Sequence, residues 1–199
     1  MDLFPIVLKL QSRKCVVIGG GEIAASKLDA LLAAGAQVLV IAPKAVASIQ
    51  EQVREQKLTW QEREFTARDV EGAFLVVAAT DSPAVNESIY RACTERGVLC
   101  NVVDDPDHCD FFYPAVVRRG PLQIAISTSG RSPALAHRLR VELEQQFGPE
   151  YEDWVEHLGR ERRDVLARKL PPDDQRRLLE QIASREAFEE FVRSKPRKT

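Results

Sequence analysis

Asp104 closes an apolar run, Leu99–Val103, and opens the polar stretch Asp104-Asp105-Pro106-Asp107-His108-Cys109-Asp110. An acid set where a buried strand ends can take up a proton or contact a metal ion. The same carboxylate can equally cap the next segment, with Pro106 helping the turn. His108 and Cys109 among these acids invite a metal reading. Neighbours in one loop seldom all face one ion, however, and no zinc-type spacing is present, so no preformed metal site is expected. A second chemical stretch is Gly19-Gly20-Gly21-Glu22-Ile23-Ala24, in which Gly19, Gly21 and Ala24 fill the small-residue positions of G-x-G-x-x-G/A. Gly19 allows a tight turn, Gly21 lets backbone approach a pyrophosphate, and Ala24 lets a helix pack closely. Gly20 adds freedom that the fingerprint does not demand. A third stretch, Thr128-Ser129-Gly130-Arg131, precedes Ser132-Pro133. Its amides and the Arg131 guanidinium could hold a carboxylate-bearing ligand, or could only shape a joint. His137, beside Arg138 and Arg140, reads as part of a solvated basic face, and His157 as surface.

The elements around these residues give them positions. Cys15–Ile18 is apolar and mostly β-branched, a strand buried on both faces, and it runs into the glycines and then an Ala-rich helical segment, about Glu22–Ala34. Leu28, Leu31 and Leu32 form its stripe, and Gly35 ends it. A second strand spans Gln37–Ile41, followed by a helix over about Ala45–Gln56 and a short strand at Leu58–Gln61. Phe74–Ala79 is another buried strand, ending in Thr80-Asp81. Ser82 then caps a helix with Pro83 at its first position, ended by Gly97. This order predicts an α/β, Rossmann-type, doubly wound parallel sheet, which binds ligands beyond the carboxyl ends of its strands. Gly19–Gly21, Pro43-Lys44, Thr80-Asp81 and Asp104 all fall at that edge. The acid that often closes the second strand to grip a ribose is missing, with Ala42-Pro43-Lys44 in its place; backbone near Pro43 and Lys44 would have to substitute. After Tyr113 a hairpin turning at Arg119-Gly120-Pro121 leads to a helix from Pro133, ended by Phe147-Gly148-Pro149. A charged helical region follows, with Pro171-Pro172 separating off a last helix near Asp174–Val192 and a basic, frayed tail.

The chain has 199 residues, with 28 Lys+Arg against 30 Asp+Glu and a net charge of −2. Such balance gives no electrostatic case for nucleic acid or an anionic membrane. No apolar run approaches a bilayer span, and the first residues lack a signal-peptide pattern. The four cysteines form no C-x-x-C pair, and Cys15 and Cys100 fall in expected buried strands, as reduced thiols do. A cytoplasmic protein is expected.

Six separated motifs occur together: Phe4-Pro5-Ile6; Val17 to Ala24 with Lys27; Ala78-Ala79-Thr80-Asp81 with Val85-Asn86; Asn101-Val102-Val103-Asp104; Phe112-x-Pro114-Ala115; and Ser127–Pro133 with Leu135-Ala136. In this order they resemble the precorrin-2 dehydrogenase / sirohydrochlorin ferrochelatase family, the dehydrogenase module of siroheme synthases. The resemblance implies NAD-dependent oxidation of precorrin-2, a tetrapyrrole, to sirohydrochlorin, and leaves open whether iron is also inserted. It implies an NAD-binding Rossmann domain at 1–112, a dimerisation segment at 113–147 that makes a homodimer, and a C-terminal helical region at 148–199. By residue matching it places NAD against Gly21, Glu22, Ile23, Pro43 and Lys44 and catalysis at Asp104, and the strand-edge reading adds Gly19, Gly20, Thr80 and Asp81 to the expected cofactor contacts. Such a substrate carries many carboxylates, which gives the Arg131 loop a role, and it is expected against Asn101, Thr128, Ser129 and Arg131. Thr128 stands where some relatives carry Ser, and no methyltransferase domain is expected in this chain. A competing expectation is a non-catalytic NAD(H)-sensing Rossmann module, which would not need Asp104 or the Thr128–Pro133 loop.

Overall fold

A computed structural model describes residues 3–195. The chain divides into two compact units, Phe4–Tyr113 and a second from Pro114 onward. In the first, the parallel strands β1 (Lys14–Ile18), β2 (Gln37–Ile41), β3 (Thr59–Gln61), β4 (Leu75–Ala78) and β5 (Leu99–Val102) take the order β3-β2-β1-β4-β5. Strand order reverses at β1, between β2 and β4, which is where such sheets open a crevice. Three helices flank the sheet: α1 (Glu22–Ala33), α2 (Ala47–Arg54) and α3 (Pro83–Arg96).

Alternation along β1 explains why both faces are covered. Cys15 and Val17 join α1 residues Ala24, Leu28 and Leu31 and Ile49 of α2 in one buried cluster. Val16 and Ile18 join Ile89, Ala92 and Cys93 of α3 in the other. A strand whose successive side chains point to opposite faces must therefore be apolar where both faces are covered, as β1 is from Cys15 to Ile18. Each fully buried Val, Leu or Ile contributes about 1.5–3 kcal/mol, so this sheet can hold its strand ends rigidly. Register settles what meets at the carboxyl edge: Ile18 pairs with Ile41 and with Ala78, and Ala78 with Val102.

The second unit contains the antiparallel hairpin β6 (Ala115–Arg119) and β7 (Leu122–Ile126), with α4 (Pro133–Gln146) and α5 (Glu150–Ala167) packed on it. Arg119 holds the end of α4 by donating to Phe147 O at 2.7 Å and Glu144 O at 2.9 Å. The expected single last helix is two, α6 (Pro172–Ile182) and α7 (Arg185–Ser194). Ser184 is the reason, because its hydroxyl accepts from the Ala187 amide at 3.2 Å and starts a new helix. His157 is also not the surface residue expected. It stacks on Phe191 at 5.1 Å and lies 5.5 Å from Trp154, inside an aromatic cluster that docks α7 on α5. The expected tail beyond Lys195 lies outside the described residues. No helix among the described residues is long and apolar enough to cross a membrane.

Candidate functional site

The glycine turn is stitched to both neighbouring strands. Gly19 N donates to Ile41 O at 2.9 Å, Ala79 N to Ile18 O at 2.8 Å, and Val46 N to Gly20 O at 2.8 Å. Gly19 adopts φ +123°, and a Cβ there would sit 2.2 Å from Ala79 O. Gly20 is tighter still: a Cβ would stand 1.9 Å from Lys44 O. The fingerprint does not demand Gly20, but the fold does, since the backbone of the β2–α2 loop occupies that space. Gly21 differs in kind, with no heavy atom within 4 Å of the position its Cβ would take. It caps α1 without any side-chain hydrogen bond, so the first-turn amides of that helix are left for a ligand.

Those amides open onto a cavity of about 840 Å³. It is lined by Gly19, Gly20, Gly21, Glu22, Ile23, Pro43, Lys44, Thr80 and Asp81, so every residue expected at the cofactor meets there. The size suits a large ligand, and a cradle open at Gly21 but closed at Gly19 and Gly20 fits a pyrophosphate over the helix end. Thr80 lines the cavity with its hydroxyl already engaged, donating to Asn86 Oδ1 at 2.7 Å, while Asn86 Nδ2 donates to Thr80 O at 3.0 Å. Asn86 thus fixes the β4 exit; it appears in the sequence only as a motif neighbour. Sequence reasoning missed Glu64 and Phe65, which reach the same cavity from the β3–β4 connection. No glycine or proline signal marks them.

That connection is locked by an ion pair. Arg63 donates to both Asp69 oxygens at 2.8 and 2.6 Å, and Asp69 Oδ2 also accepts from the Thr66 amide at 2.7 Å. Burial alone would push the Asp69 carboxyl up, but the Arg63 guanidinium and the Thr66 donors override it and hold the group below the usual carboxylate range. A depressed folded value means stabilisation that is complete above the unfolded value and lost as pH falls through the folded one. Asp69→Asn should accordingly cost about 2 kcal/mol near neutrality. Urea midpoints of parent and variant should converge as pH is taken down through the carboxylate range, and a gap independent of pH would refute the charged pairing.

Asp104 stands beyond β5, is exposed, and is not among the residues lining the cavity. It adopts φ +62°, a left-handed conformation that Asp tolerates better than most residues. The turn around it is braced. Val103 N donates to Ala78 O at 2.9 Å, and the Cys109 thiol donates to Val102 O at 3.1 Å and Asp105 O at 3.2 Å. Cys100 N donates to Asp110 Oδ2 at 2.8 Å, and Asp110 N returns to Cys100 O at 2.8 Å. Asn101, expected at the substrate, is instead buried, and its amide donates to Phe111 O at 2.8 Å and Cys109 Sγ at 3.3 Å. Its donor serves the loop rather than a ligand. His108 Nδ1 lies 2.6 Å from Asp105 Oδ2, and that hydrogen bond raises the imidazole above its usual value. The Asp104 carboxylate makes no hydrogen bond or ion pair among the described residues. No group of three His, Cys, Asp or Glu among them is arranged to hold a metal ion.

Thr128, Ser129 and Arg131 belong to the second unit. The Thr128 hydroxyl accepts from Ser132 N at 3.0 Å and Ser132 caps α4, accepting from Leu135 N at 3.2 Å. Ser129 has φ +52°, and Arg131 is exposed.

Comparison with known proteins gives these features a family. Residues 6–115 match a family model described as NAD(P)-binding, and residues 119–146 match the sirohaem biosynthesis protein central segment. A siroheme synthase of Serratia proteamaculans is 39% identical over 90% of this chain and 38% of its own length. The siroheme synthase of Methylococcus capsulatus is 46% identical over 72% of this chain and 30% of its own length. The chain thus spans well under half the length of these curated relatives. A solved structure, "SirC, precorrin-2 dehydrogenase", superposes with a TM-score of 0.77 at 28% identity, covering 96% of this chain and 98% of that one. The chain belongs to the NAD(P)-binding family, with the sirohaem-biosynthesis central segment joined directly behind it.

Proposed function

We propose that this chain is an NAD-dependent dehydrogenase that converts precorrin-2 to sirohydrochlorin in siroheme biosynthesis. The observation that carries the reading is the open cradle at Gly21, backed by the uncapped α1 amides and an 840 Å³ cavity. Its likeness to a precorrin-2 dehydrogenase along nearly the whole chain supports the substrate. Bound nicotinamide supplies the hydride acceptor. The chain's own residues do the rest. Gly19, Gly20 and Gly21 give the pyrophosphate its place, Glu22 and Ile23 open the helix beneath it, and Pro43, Lys44, Thr80 and Asp81 wall the cavity. Loss of a hydride from the substrate must be matched by loss of a proton, and Asp104 is the group to accept it, a free carboxylate on a braced turn. In the second unit, Arg131, with Ser129 and the Thr128 loop, offers a planar guanidinium suited to a ligand's carboxylates.

A homodimer belongs to this reading. A hairpin of two strands is marginal alone, and β6 and β7 each have one unpaired edge among the described residues, which a second copy can cover.

The test is anaerobic incubation with precorrin-2 and NAD⁺. Equimolar NADH and sirohydrochlorin are expected. NAD⁺ binding without turnover would defeat the dehydrogenase and favour a sensor. Adding Fe²⁺ or Co²⁺ with sirohydrochlorin reports metal insertion in the same preparation.

A further inference from the structure

The adenosine end of a dinucleotide site makes a demand that β2 does not meet. In folds of this order an acid at the end of β2 receives the ribose 2′-hydroxyl. This chain has Ala42-Pro43-Lys44 there, and the Ala42 carbonyl already accepts from the Trp60 indole at 2.9 Å. Three acids line the cavity: Glu22, Glu64 and Asp81. Their places in the sheet separate them. Glu22 is the first residue of α1, at the phosphate end. Asp81 follows β4, across β1 from β2. Glu64 follows Gln61 closely, and Gln61 is in register with Ile41, the last residue of β2. Of the three it is the acid on the β2 side, where the first mononucleotide half of such a sheet seats its nucleotide.

The backbone carrying Glu64 is fixed while its side chain is free. Arg63 Nη1 donates to Glu64 O at 2.9 Å, and the same guanidinium is clamped on buried Asp69. The Glu64 carboxylate has no hydrogen bond or ion pair among the described residues. Both acceptor oxygens are available at the cavity wall. We propose that Glu64 receives the adenosine ribose hydroxyls, and so sets NAD against NADP: a 2′-phosphate would bring a second anion against the carboxylate. This rests on the dinucleotide reading of the cavity and names the residue that the missing β2 acid leaves unassigned.

Calorimetric titration of the full chain with NAD⁺ and with NADP⁺, in the absence of tetrapyrrole, tests it. Wild type should prefer NAD⁺. Glu64→Gln, which keeps the size and removes the charge, should reduce that preference by about tenfold or more, and Glu64→Lys should reverse it. Asp81→Asn should leave the ratio in place. An unchanged NAD⁺/NADP⁺ ratio in Glu64→Gln overturns the assignment while the cavity reading stands. A ratio that moves with Asp81→Asn instead gives the role to the wrong side of β1 and overturns it too. Failure of wild type to bind either nucleotide overturns the cavity reading itself, and this proposal with it.

Discussion

Asp104→Asn should bind NAD⁺ as the parent does and turn over precorrin-2 about 10²–10⁴-fold more slowly, the range typical of a lost general base. Asparagine is the informative replacement. Residue 104 sits at φ +62°, where Asp and Asn are tolerated and alanine adds a backbone cost of about 1–2 kcal/mol. Asp104→Ala therefore mixes a missing proton acceptor with a disturbed turn, whereas Asp104→Asn keeps the turn and removes only the charge. The side chain is exposed and unpartnered among the described residues, so melting temperature should hardly move. The cavity lining excludes residue 104, so nucleotide affinity should hold as well. The loss should fall in kcat, with KM for the tetrapyrrole changed little. A kcat within threefold of wild type would remove Asp104 from the chemistry and leave it a turn residue.

Much of this arrangement is legible in the residues because the constraints are local. A four-residue apolar run, a glycine turn and an amphipathic segment specify β1 and α1 almost to the residue, and β2 and α3 fall where Gln37–Ile41 and Ser82-Pro83 place them. Capping chemistry is short-range, so Ser82 and Ser132 can be identified without knowing the fold. The convergence of Pro43, Lys44, Thr80 and Asp81 on the glycines follows from parallel order alone. What stays hidden depends on partners distant in sequence. Asn101 looks like a polar residue at the strand end, free for a ligand, until Phe111 is found accepting its amide. Glu64 carries no pattern, because its place comes from the Gln61–Ile41 register and the Arg63–Asp69 clamp. His157 has a charged helix around it in sequence and aromatic rings around it in space. Ser184 sits inside a helical periodicity that continues through it, and its bond to Ala187 starts α7 as a separate helix.

Gly20→Ala should lose stability and Gly21→Ala only affinity, although the residues are adjacent and each variant differs from the parent by one methyl. A Cβ at residue 20 would meet Lys44 O at 1.9 Å, Lys44 C at 2.9 Å and Ala42 Cβ at 3.0 Å. These are backbone and buried atoms, not the end of a flexible side chain. The β2–α2 loop must move outward, straining the Val46 N to Gly20 O bond and carrying Pro43 and Lys44 with it. Overpacking of this kind costs about 1–3 kcal/mol, which lowers the melting temperature by roughly 2–12 °C in a chain of this size. NAD⁺ affinity should fall along with stability, because the wall of the cavity has shifted. At residue 21 the methyl meets nothing in the protein, and φ −85° is ordinary for alanine. Gly21→Ala should therefore stay within about 1 kcal/mol of the parent in stability, the difference between Gly and Ala at a helix N-cap. Its methyl stands where the pyrophosphate must come, so NAD⁺ should bind at least about tenfold more weakly, equivalent to 1.4 kcal/mol. Thermal melts and NAD⁺ titrations on the two variants separate the effects. A Gly20→Ala protein as stable as the parent would show that the turn is looser than its contacts indicate, and undiminished NAD⁺ binding in Gly21→Ala would move the pyrophosphate away from α1.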